Sequence, residues 1–371
     1  MKVFTPAIKL VKSSKQQGQR YPVIWALVLA MIFEPAGSAA HEAPVHTHQR
    51  LVPVPAYVPA PGQSAIATAQ RLIASFDPGA RSELLFDWDA RERTRWSNLP
   101  AGFFTRPGLS IGDMSDDQRG LLFEFLSTSL GEQGYRRLSN VLAAEAFLSQ
   151  APNAARNGWY PENYWISFYG LPSDGGDWGW SFGGHHLGLN LSFRDGQVST
   201  MSPSFVGTEP AIFRLDGVEY ESVVDMHHAG HAAFLTLDPD QRELADAGRV
   251  PRDVITGPGD DGLVPQRIGI SASEMSPAQR TALLAVVRLW VEIQPEGNAS
   301  VRMKAIEAEL DQVHFAWHGS GEVNTPVYMR IQGPSLIIEL VSNGDNVGEN
   351  ARGRGHYHTI YRDPTFEYGR Q

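Results

Sequence analysis

Four histidines have the spacing in this sequence that is most typical of a metal site. His356 and His358 are separated by one residue, and on a β-strand such a pair puts both rings on one face, about 7 Å apart along the chain. His185 and His186 are adjacent and follow Gly183-Gly184. If the chain brings His185 or His186 to the other pair, three imidazoles meet, and imidazole suits Zn, Fe, Mn or Cu. The sequence therefore predicts a divalent or transition metal site without identifying the metal.

A carboxylate would complete such a site. Glu339 is the first candidate, as a fourth ligand or as the general base, and Asp363 is the alternative. A ligand imidazole usually donates its other N–H to a carboxylate, and we expect Glu339, Asp363 or Glu367 to be that acceptor. The competing interpretation of His356 and His358 is a polar strand pair near a sheet edge, without metal.

The remaining histidines of the folded region form two further groups. His227 and His231 are four residues apart, which could place two ligands on one helix face, but no glutamate separates them as in a metalloprotease helix. We interpret them as part of a polar, solvated helix face. His314 and His318 flank a short aromatic strand and are interpreted as surface residues at its ends.

The segment Asp177–Phe193 is predicted to position the first histidine pair. Its apolar residues alternate with small or polar ones, which predicts a β-hairpin, and Gly183-Gly184 is the predicted turn. Strand alternation would then send His185 and His186 to opposite faces, so both remain candidates.

A helix-helix-strand-hairpin unit occurs twice in the sequence. Ser115 with Gln118 and Ser276 with Gln279 each form a capping box at the start of a helix pair. An aromatic strand and a hairpin follow each pair, and the hairpins align with Gly184 on Gly333. The predicted fold is α+β, with two pseudo-repeats packed as one large domain over residues 63–371. The repeat halves are about 113–205 and 274–371, joined by residues 206–273.

The two hairpins differ reciprocally at the positions that can do chemistry. The first carries His185-His186 where the second has Pro334-Ser335, and the second carries Glu339 where the first has Asn190. This difference predicts a site between the two halves, to which each contributes what the other lacks.

The N-terminal residues indicate export. Residues 2–20 contain five cations and no acid, an apolar run of 12 residues spans Pro22–Phe33, and Ser38-Ala39-Ala40 follows. This is the pattern of a signal peptide over residues 1–40, too short in its apolar part to span a bilayer. Residues 41–62 contain several prolines and read as a linker. We expect a secreted or periplasmic protein after cleavage near Ala40.

The composition and net charge of the chain limit the classes of partner that it can bind. The chain has 371 residues, no cysteine and a formal net charge of −10, which becomes −14 when residues 1–40 with their five cations and one acid are removed. Such an acidic chain lacks the basic face that nucleic-acid binding requires. No later segment is apolar enough to cross a membrane, so the mature form is expected to have neither nucleic acid nor membrane as a partner.

Several motifs between about residues 65 and 370 form a set. They are Trp96–Pro100, Trp178–Asn190, Met275–Arg280, Phe315–Trp317, Tyr328–Pro334 with Ile338-Glu339, His356-x-His358, Arg362–Pro364 and Tyr368-Gly369. With this set the chain resembles a family of bacteria and fungi that is known only as a domain of unknown function. The resemblance implies no activity, but it places the two candidate histidine pairs within family motifs and the other histidines outside them. Glu367 departs from the family pattern, in which aspartate is more typical.

Two functions are therefore expected from the sequence. The first is a metal-dependent enzyme, hydrolytic or oxidative, acting on a small-molecule or polymeric extracellular substrate. The alternative is a non-enzymatic carbohydrate- or peptide-binding protein that uses the tryptophan-rich hairpin, with Trp159, Trp165, Trp178 and Trp180 as its platform. The same tryptophans, alternating along strands, can instead be core residues.

Overall fold

The structure is a computed structural model that describes residues 54–57, 64–344 and 354–370. The expected signal peptide and most of the linker lie outside these residues. The helices are α1 (Ala65–Ala74), α2 (Pro78–Leu84), α3 (Asp116–Ser129), α4 (Glu132–Leu148), α5 (Ala154–Asn157), α6 (Val224–Leu235), α7 (Pro239–Ala245), α8 (Pro277–Val291) and α9 (Glu296–Ala308). Among these described helices, none has the length and apolar character needed to cross a bilayer.

The strands confirm the α+β class. They are β1 (Leu85–Phe86), β2 (Leu109–Ser110), β3 (Trp165–Tyr169), β4 (Asp177–Gly184), β5 (Leu187–Arg194), β6 (Gln197–Thr200), β7 (Ser204–Thr208), β8 (Ile212–Leu215), β9 (Val218–Glu221), β10 (Ile270–Ser271), β11 (His314–Gly319), β12 (Pro326–Gln332), β13 (Ile337–Asn343) and β14 (Tyr357–Arg362). Twelve of them form one mixed sheet, and β8 and β9 form a separate hairpin.

One strand pair joins the two parts of the sheet. The strand order is β1-β3-β4-β5-β7-β14-β13-β12-β11-β10, with β2 on β3 and β6 on β5. On one edge, strand β7 pairs with the start of β5, where Val206 is opposite Leu187. On its other edge, β7 pairs with the C-terminal strand β14, where Gly207 is opposite His358. Residues 187 and 358, far apart in sequence, are therefore separated by a single strand.

The predicted helix starts are present. Ser115 and Ser276 both accept a hydrogen bond from the backbone N–H three residues later, and Gln118 and Gln279 reach back to the cap, as capping boxes require. Each glutamine also donates from Nε2 to the end of a preceding helix, Gln118 to α1 and Gln279 to α6. The caps thus fix the packing of α3 on α1 and of α8 on α6.

The two hairpins have the same pairing register. Trp165 pairs with Gly183 and Gly183 with Gly188, while in the second half His314 pairs with Gln332 and Gln332 with Ile337. These are the equivalent positions when Gly184 is aligned on Gly333. The duplication itself stays a prediction, and the shared register is the observation that supports it.

The predicted turn of the first hairpin is wrong. Gly184 pairs with Leu187, so the two-residue loop is His185-His186, with His186 at a φ of 60°. Gly184 is instead required by space, because a Cβ there would lie 2.5 Å from the ring of Tyr164. Strand alternation therefore does not apply to the two histidines, and both rings project from the hairpin tip.

The tryptophans of the first hairpin belong to the core. Trp178 and Trp180 are 0% and 1% exposed, and Trp178 stacks on Phe193 with the ring centroids 4.0 Å apart. Trp159 and Trp165 are buried as well. These four side chains cannot form the exposed platform that the binding alternative needs.

The two helix pairs meet at a close backbone contact. The N–H of Gly131, at the start of α4, donates to the carbonyl of Ile293, at the end of α8, over 3.0 Å. A Cβ on Gly134 would lie 2.2 Å from the same carbonyl oxygen. Glycine is therefore required here by the approach of two backbones.

Replacement of Gly134 by alanine is expected to destabilise the protein by about 1–3 kcal/mol, because the added methyl group must push the two helix pairs apart. The matched control is Gly120→Ala in α3, where a Cβ meets nothing within 4 Å and alanine should be neutral or gain up to about 1 kcal/mol. Urea unfolding of both variants measures the difference, and equal stabilities would contradict the contact.

Candidate metal centre

Three of the four predicted histidines converge on one point. The Nε2 atom of His356 lies 3.1 Å from Nε2 of His186 and 3.0 Å from Nε2 of His358. The candidate ligand atoms of all three lie within 4.8 Å of one another. Nitrogens bound tetrahedrally at about 2.0–2.1 Å from zinc are roughly 3.4 Å apart. The three imidazoles can therefore hold a metal ion with only small adjustments.

The hairpin tip is attached to strand β7 by its backbone. His186 donates its N–H to the carbonyl of Asn98 over 3.1 Å, and its own carbonyl accepts from the N–H of Gly207 over 2.7 Å. Gly207 of β7 pairs with His358 of β14. A Cβ on Gly207 would lie 3.0 Å from the ring of His186. The absence of a side chain at position 207 lets the His186 ring lie beside β14.

Two buried side chains hold the tip from the other side. Arg106 donates from Nη2 to the carbonyl of Gly184 over 3.0 Å, and the hydroxyl of Tyr164 donates to the carbonyl of His185 over 2.7 Å. Burial lowers the pKa of Arg106 to about 10. The guanidinium is nevertheless charged at neutral pH. Its N–H groups donate hydrogen bonds to backbone carbonyls that would otherwise be unpaired in the interior.

Asp253 orients His358. Its Oδ1 lies 2.7 Å from Nδ1 of His358, so Nδ1–H donates to the carboxylate and Nε2 is left as the metal-facing nitrogen. Burial alone would raise the pKa of Asp253, but its hydrogen bond and charge interaction with His358 outweigh burial and lower it. The acceptor is thus Asp253, rather than the Glu339, Asp363 or Glu367 that the sequence suggested.

Glu339 lies outside the histidine cluster. Its buried carboxylate accepts four hydrogen bonds, from the N–H groups of Ile255 and Thr256, the Thr256 hydroxyl and the Tyr328 hydroxyl, at 2.6–2.9 Å. Ile255 and Thr256 follow two and three residues after Asp253 in sequence, and Tyr328 lies on strand β12, which pairs with the strand of Glu339. The structure therefore gives Glu339 the task of fixing the loop that carries Asp253, rather than that of a ligand or base.

His185 forms a second layer under His186. The two rings stack with centroids 3.8 Å apart, and Nδ1 of His185 lies 2.9 Å from Oε2 of Glu145. Burial raises the pKa of Glu145 well above its usual value and lowers that of His185 well below its own. Burial thus favours the neutral forms of both groups, and a neutral pair supports the ring of His186 without placing a charge next to it.

Glu209 lies close to both His185 and His186. With His185 and His186 it forms a second group of candidate ligand atoms within 4.8 Å of one another, all buried. Its Oε2 is also 3.7 Å from Nε2 of His356. The sequence did hold a signal for this residue, because Glu209 is the only acid between Asp195 and Asp216. It was missed because nothing in the sequence showed that this segment pairs with the C-terminal strand.

One side of the cluster is open. The side chains of His356 and His358 are 25% and 17% exposed, whereas His186 is buried. Beside the two exposed rings is a cavity of about 150 Å³, which is also lined by Arg252, Val341, Ser342 and Asn343. A ligand from solution can therefore reach the nitrogens from this side.

His227 corrects another expectation. It is completely buried rather than on a solvated face, with Nδ1 2.8 Å from the hydroxyl of Tyr357 and Nε2 3.2 Å from the carbonyl of Ser320. Tyr357 stands between His356 and His358 in sequence. The helix α6 thus anchors the strand that carries the two histidines.

The buried histidines predict acid sensitivity. Burial lowers the pKa of His227 to about 4, below the 6.5 of the unfolded chain, so between these values the unfolded state binds the extra proton and stability falls as pH falls. Wild-type protein should therefore lose about 2 kcal/mol through this residue between pH 7 and pH 5. His227→Gln removes that loss, so its destabilisation relative to wild type should shrink by this amount in urea unfolding of metal-free protein. A constant difference would contradict the depressed pKa.

Comparison with known proteins identifies the family but no activity. Searches of curated proteins and of solved structures gave no match. Residues 59–370 match the family described as "Protein of unknown function (DUF3500)". This match covers most of the chain and confirms the resemblance seen in its motifs. The chain therefore belongs to the DUF3500 family.

Proposed function

We propose that this chain is an exported metal-dependent enzyme, hydrolytic or oxidative, whose single ion is held by His186, His356 and His358. The observation that carries the proposal is the convergence of three Nε2 atoms at 3.0–3.1 Å, with the third ring oriented by Asp253. Three imidazoles with a carboxylate behind one of them form the pattern of a catalytic rather than a structural site, because a coordination position stays open.

The protonation of the rings supports metal binding. Burial lowers the pKa of His186 well below its usual value and that of His356 to about 3. Both rings are therefore neutral at physiological pH, as metal ligands must be. A bound Zn, Fe, Mn or Cu ion would supply Lewis acidity, or redox chemistry where the metal allows it.

Glu209 replaces Glu339 in the catalytic role. Its carboxylate is near His356 and His186, whereas that of Glu339 is committed to four donors. From this position Glu209 serves either as a fourth ligand or as the base that accepts a proton from a substrate or water. His185, which is hydrogen-bonded to Glu145, stacks on His186 and positions its ring.

The rival function has no supporting observation. A carbohydrate- or peptide-binding protein built on the hairpin needs exposed indoles, and the four tryptophans of that region are buried. The open histidine cluster favours an enzyme with a small-molecule or polymeric extracellular substrate.

Export is part of the proposal and is tested independently. The charged start, the short apolar run and Ser38-Ala39-Ala40 support cleavage after Ala40. N-terminal sequencing of the protein recovered outside the cytoplasm should begin at His41. A mature chain that still carries residues 2–33 would contradict the proposal.

The metal site predicts one ion per chain. Purified untagged protein, analysed by elemental analysis and by titration with Zn²⁺, Co²⁺, Mn²⁺ and Cu²⁺, should bind close to one equivalent of at least one of these ions. His356→Ala and His358→Ala should each lower the affinity at least about 100-fold, since each removes one of three ligands. The control His314→Ala changes a histidine on strand β11 and should leave it unchanged. Equal affinities in all variants would refute the site.

Asp253→Asn should weaken metal binding without removing a ligand. An amide accepts the His358 Nδ1–H more weakly than a carboxylate, so we expect a loss of about 10–100-fold in affinity. The control is Asp260→Asn in the same loop, a residue that makes no contact with the cluster. If Asp253→Asn binds the metal as tightly as wild type, Asp253 does not support the ligand.

A further inference from the structure

Among the described residues, one arginine lines the cavity beside His356 and His358. Arg252 lines it, together with Val341, Ser342 and Asn343 at the end of strand β13. Val341 is directly opposite His358 in the sheet, so this end of the cavity is next to the metal-facing rings. The lining thus includes an arginine and an asparagine beside the rings of the proposed ion site.

The guanidinium of Arg252 is available to a ligand. Over the described residues, no carboxylate lies within ion-pair distance of it, and the neighbouring acid, Asp253, is bound to His358. An unpaired cation beside a candidate metal centre points to an anionic partner.

The backbone at Arg252 is fixed before any ligand arrives. Asn343 donates from Nδ2 to the Arg252 carbonyl over 2.7 Å, and Glu339 holds the N–H groups of Ile255 and Thr256. Asp253 is attached to His358 between these points. One loop therefore carries both the residue that orients a metal ligand and the cation that faces the cavity, which ties their positions together.

We propose that the site takes a carboxylate substrate, with its carboxylate on Arg252 and its reactive group at the histidine cluster. This inference rests on the proposed function. A guanidinium binds a carboxylate through two parallel hydrogen bonds, which also orients the rest of the molecule. Asn343 supplies a further polar group at the same end of the cavity.

The size of the cavity and the charge of its lining narrow the class of substrate. A cavity of about 150 Å³ is smaller than the roughly 300–1,000 Å³ that drug-sized ligands occupy, so it fits a small acid or the terminal group of a longer chain. Apart from the proposed ion, which faces the reactive group, Arg252 is the only arginine or lysine among the described lining residues, and alone it balances a monoanionic group but leaves a dianionic phosphate with excess charge. A monocarboxylate is therefore favoured over a phosphoryl compound.

The test uses full-length mature protein loaded with Co²⁺, whose visible spectrum reports ligands near the ion. Propionate is titrated against its neutral isostere propionamide and against methylphosphonate. Wild type should bind propionate at least about 10-fold more tightly than either. Arg252→Gln should lose at least that factor, and Arg252→Lys should recover part of it, while Co²⁺ affinity stays unchanged in both. The control Arg249→Gln, an exposed arginine of the same loop outside the cavity, should bind propionate as wild type does.

The outcomes separate the two proposals. If Co²⁺ binds but Arg252→Gln takes up propionate as wild type does, the acid binds the ion alone and the role of Arg252 is refuted. An equal loss in Arg249→Gln would also refute it, because general charge would then explain the effect. Tighter binding of methylphosphonate overturns the carboxylate class. Failure to bind Co²⁺ or another metal overturns the proposed function and this inference with it.

Discussion

The pairing of β7 with β14 is the interaction on which the histidine cluster depends. It places Gly207 opposite His358 and, through β5 on its other edge, brings the hairpin tip to the same place. The histidines come from segments 170 residues apart in sequence, and this strand pairing brings them together. A sheet fixes the spacing of neighbouring strands at about 4.8 Å, so side chains at adjacent pairing positions have little freedom to separate.

Burial of polar groups is the second constraint, and the structure answers it with specific partners. Arg106 and Tyr164 satisfy carbonyls at the hairpin tip, Asp253 satisfies one nitrogen of His358, and Glu145 satisfies one nitrogen of His185. Each of these partners costs desolvation, which a purely structural hairpin tip would not require. Burial lowers the pKa of His185, His186 and His356 and so favours their neutral forms, and the neutral imidazole is the form that binds a metal.

Local pattern predicted much of this fold. The caps at Ser115 and Ser276, the two hairpins with their register and the α+β class all follow from short-range periodicity, which tertiary packing did not override. The meeting of His-His with His-x-His was also expected, because the two hairpins differ reciprocally at the positions that can do chemistry. The turn was misplaced by two residues, since Gly-Gly is a strong turn signal and the need for space at Gly184 is visible only when Tyr164 is packed beside it.

The supporting carboxylates could not be found in this way. Asp253 and Glu209 lie in loops whose position follows from strand order, and strand order is a long-range property that periodicity does not contain. Glu339 was chosen because it differs from Asn190 in the other half, which is a sound reason to expect a special role. In the structure, the buried carboxylate of Glu339 holds the loop of residues 253–256. The sequence therefore revealed the difference between the two halves, but it did not reveal that the difference serves to fix this loop.

An ion at this site would also act as a cross-link. His186 and His356 are 170 residues apart in sequence, and a metal bound to both would close a loop of that length in a chain that has no cysteine. By the chain-entropy argument, a covalent link of this span disfavours the unfolded state by about 5 kcal/mol. Removal of the ion would then remove this cross-link and its effect on the unfolded state, while the hairpin tip stays attached through its backbone bonds to Asn98 and β7.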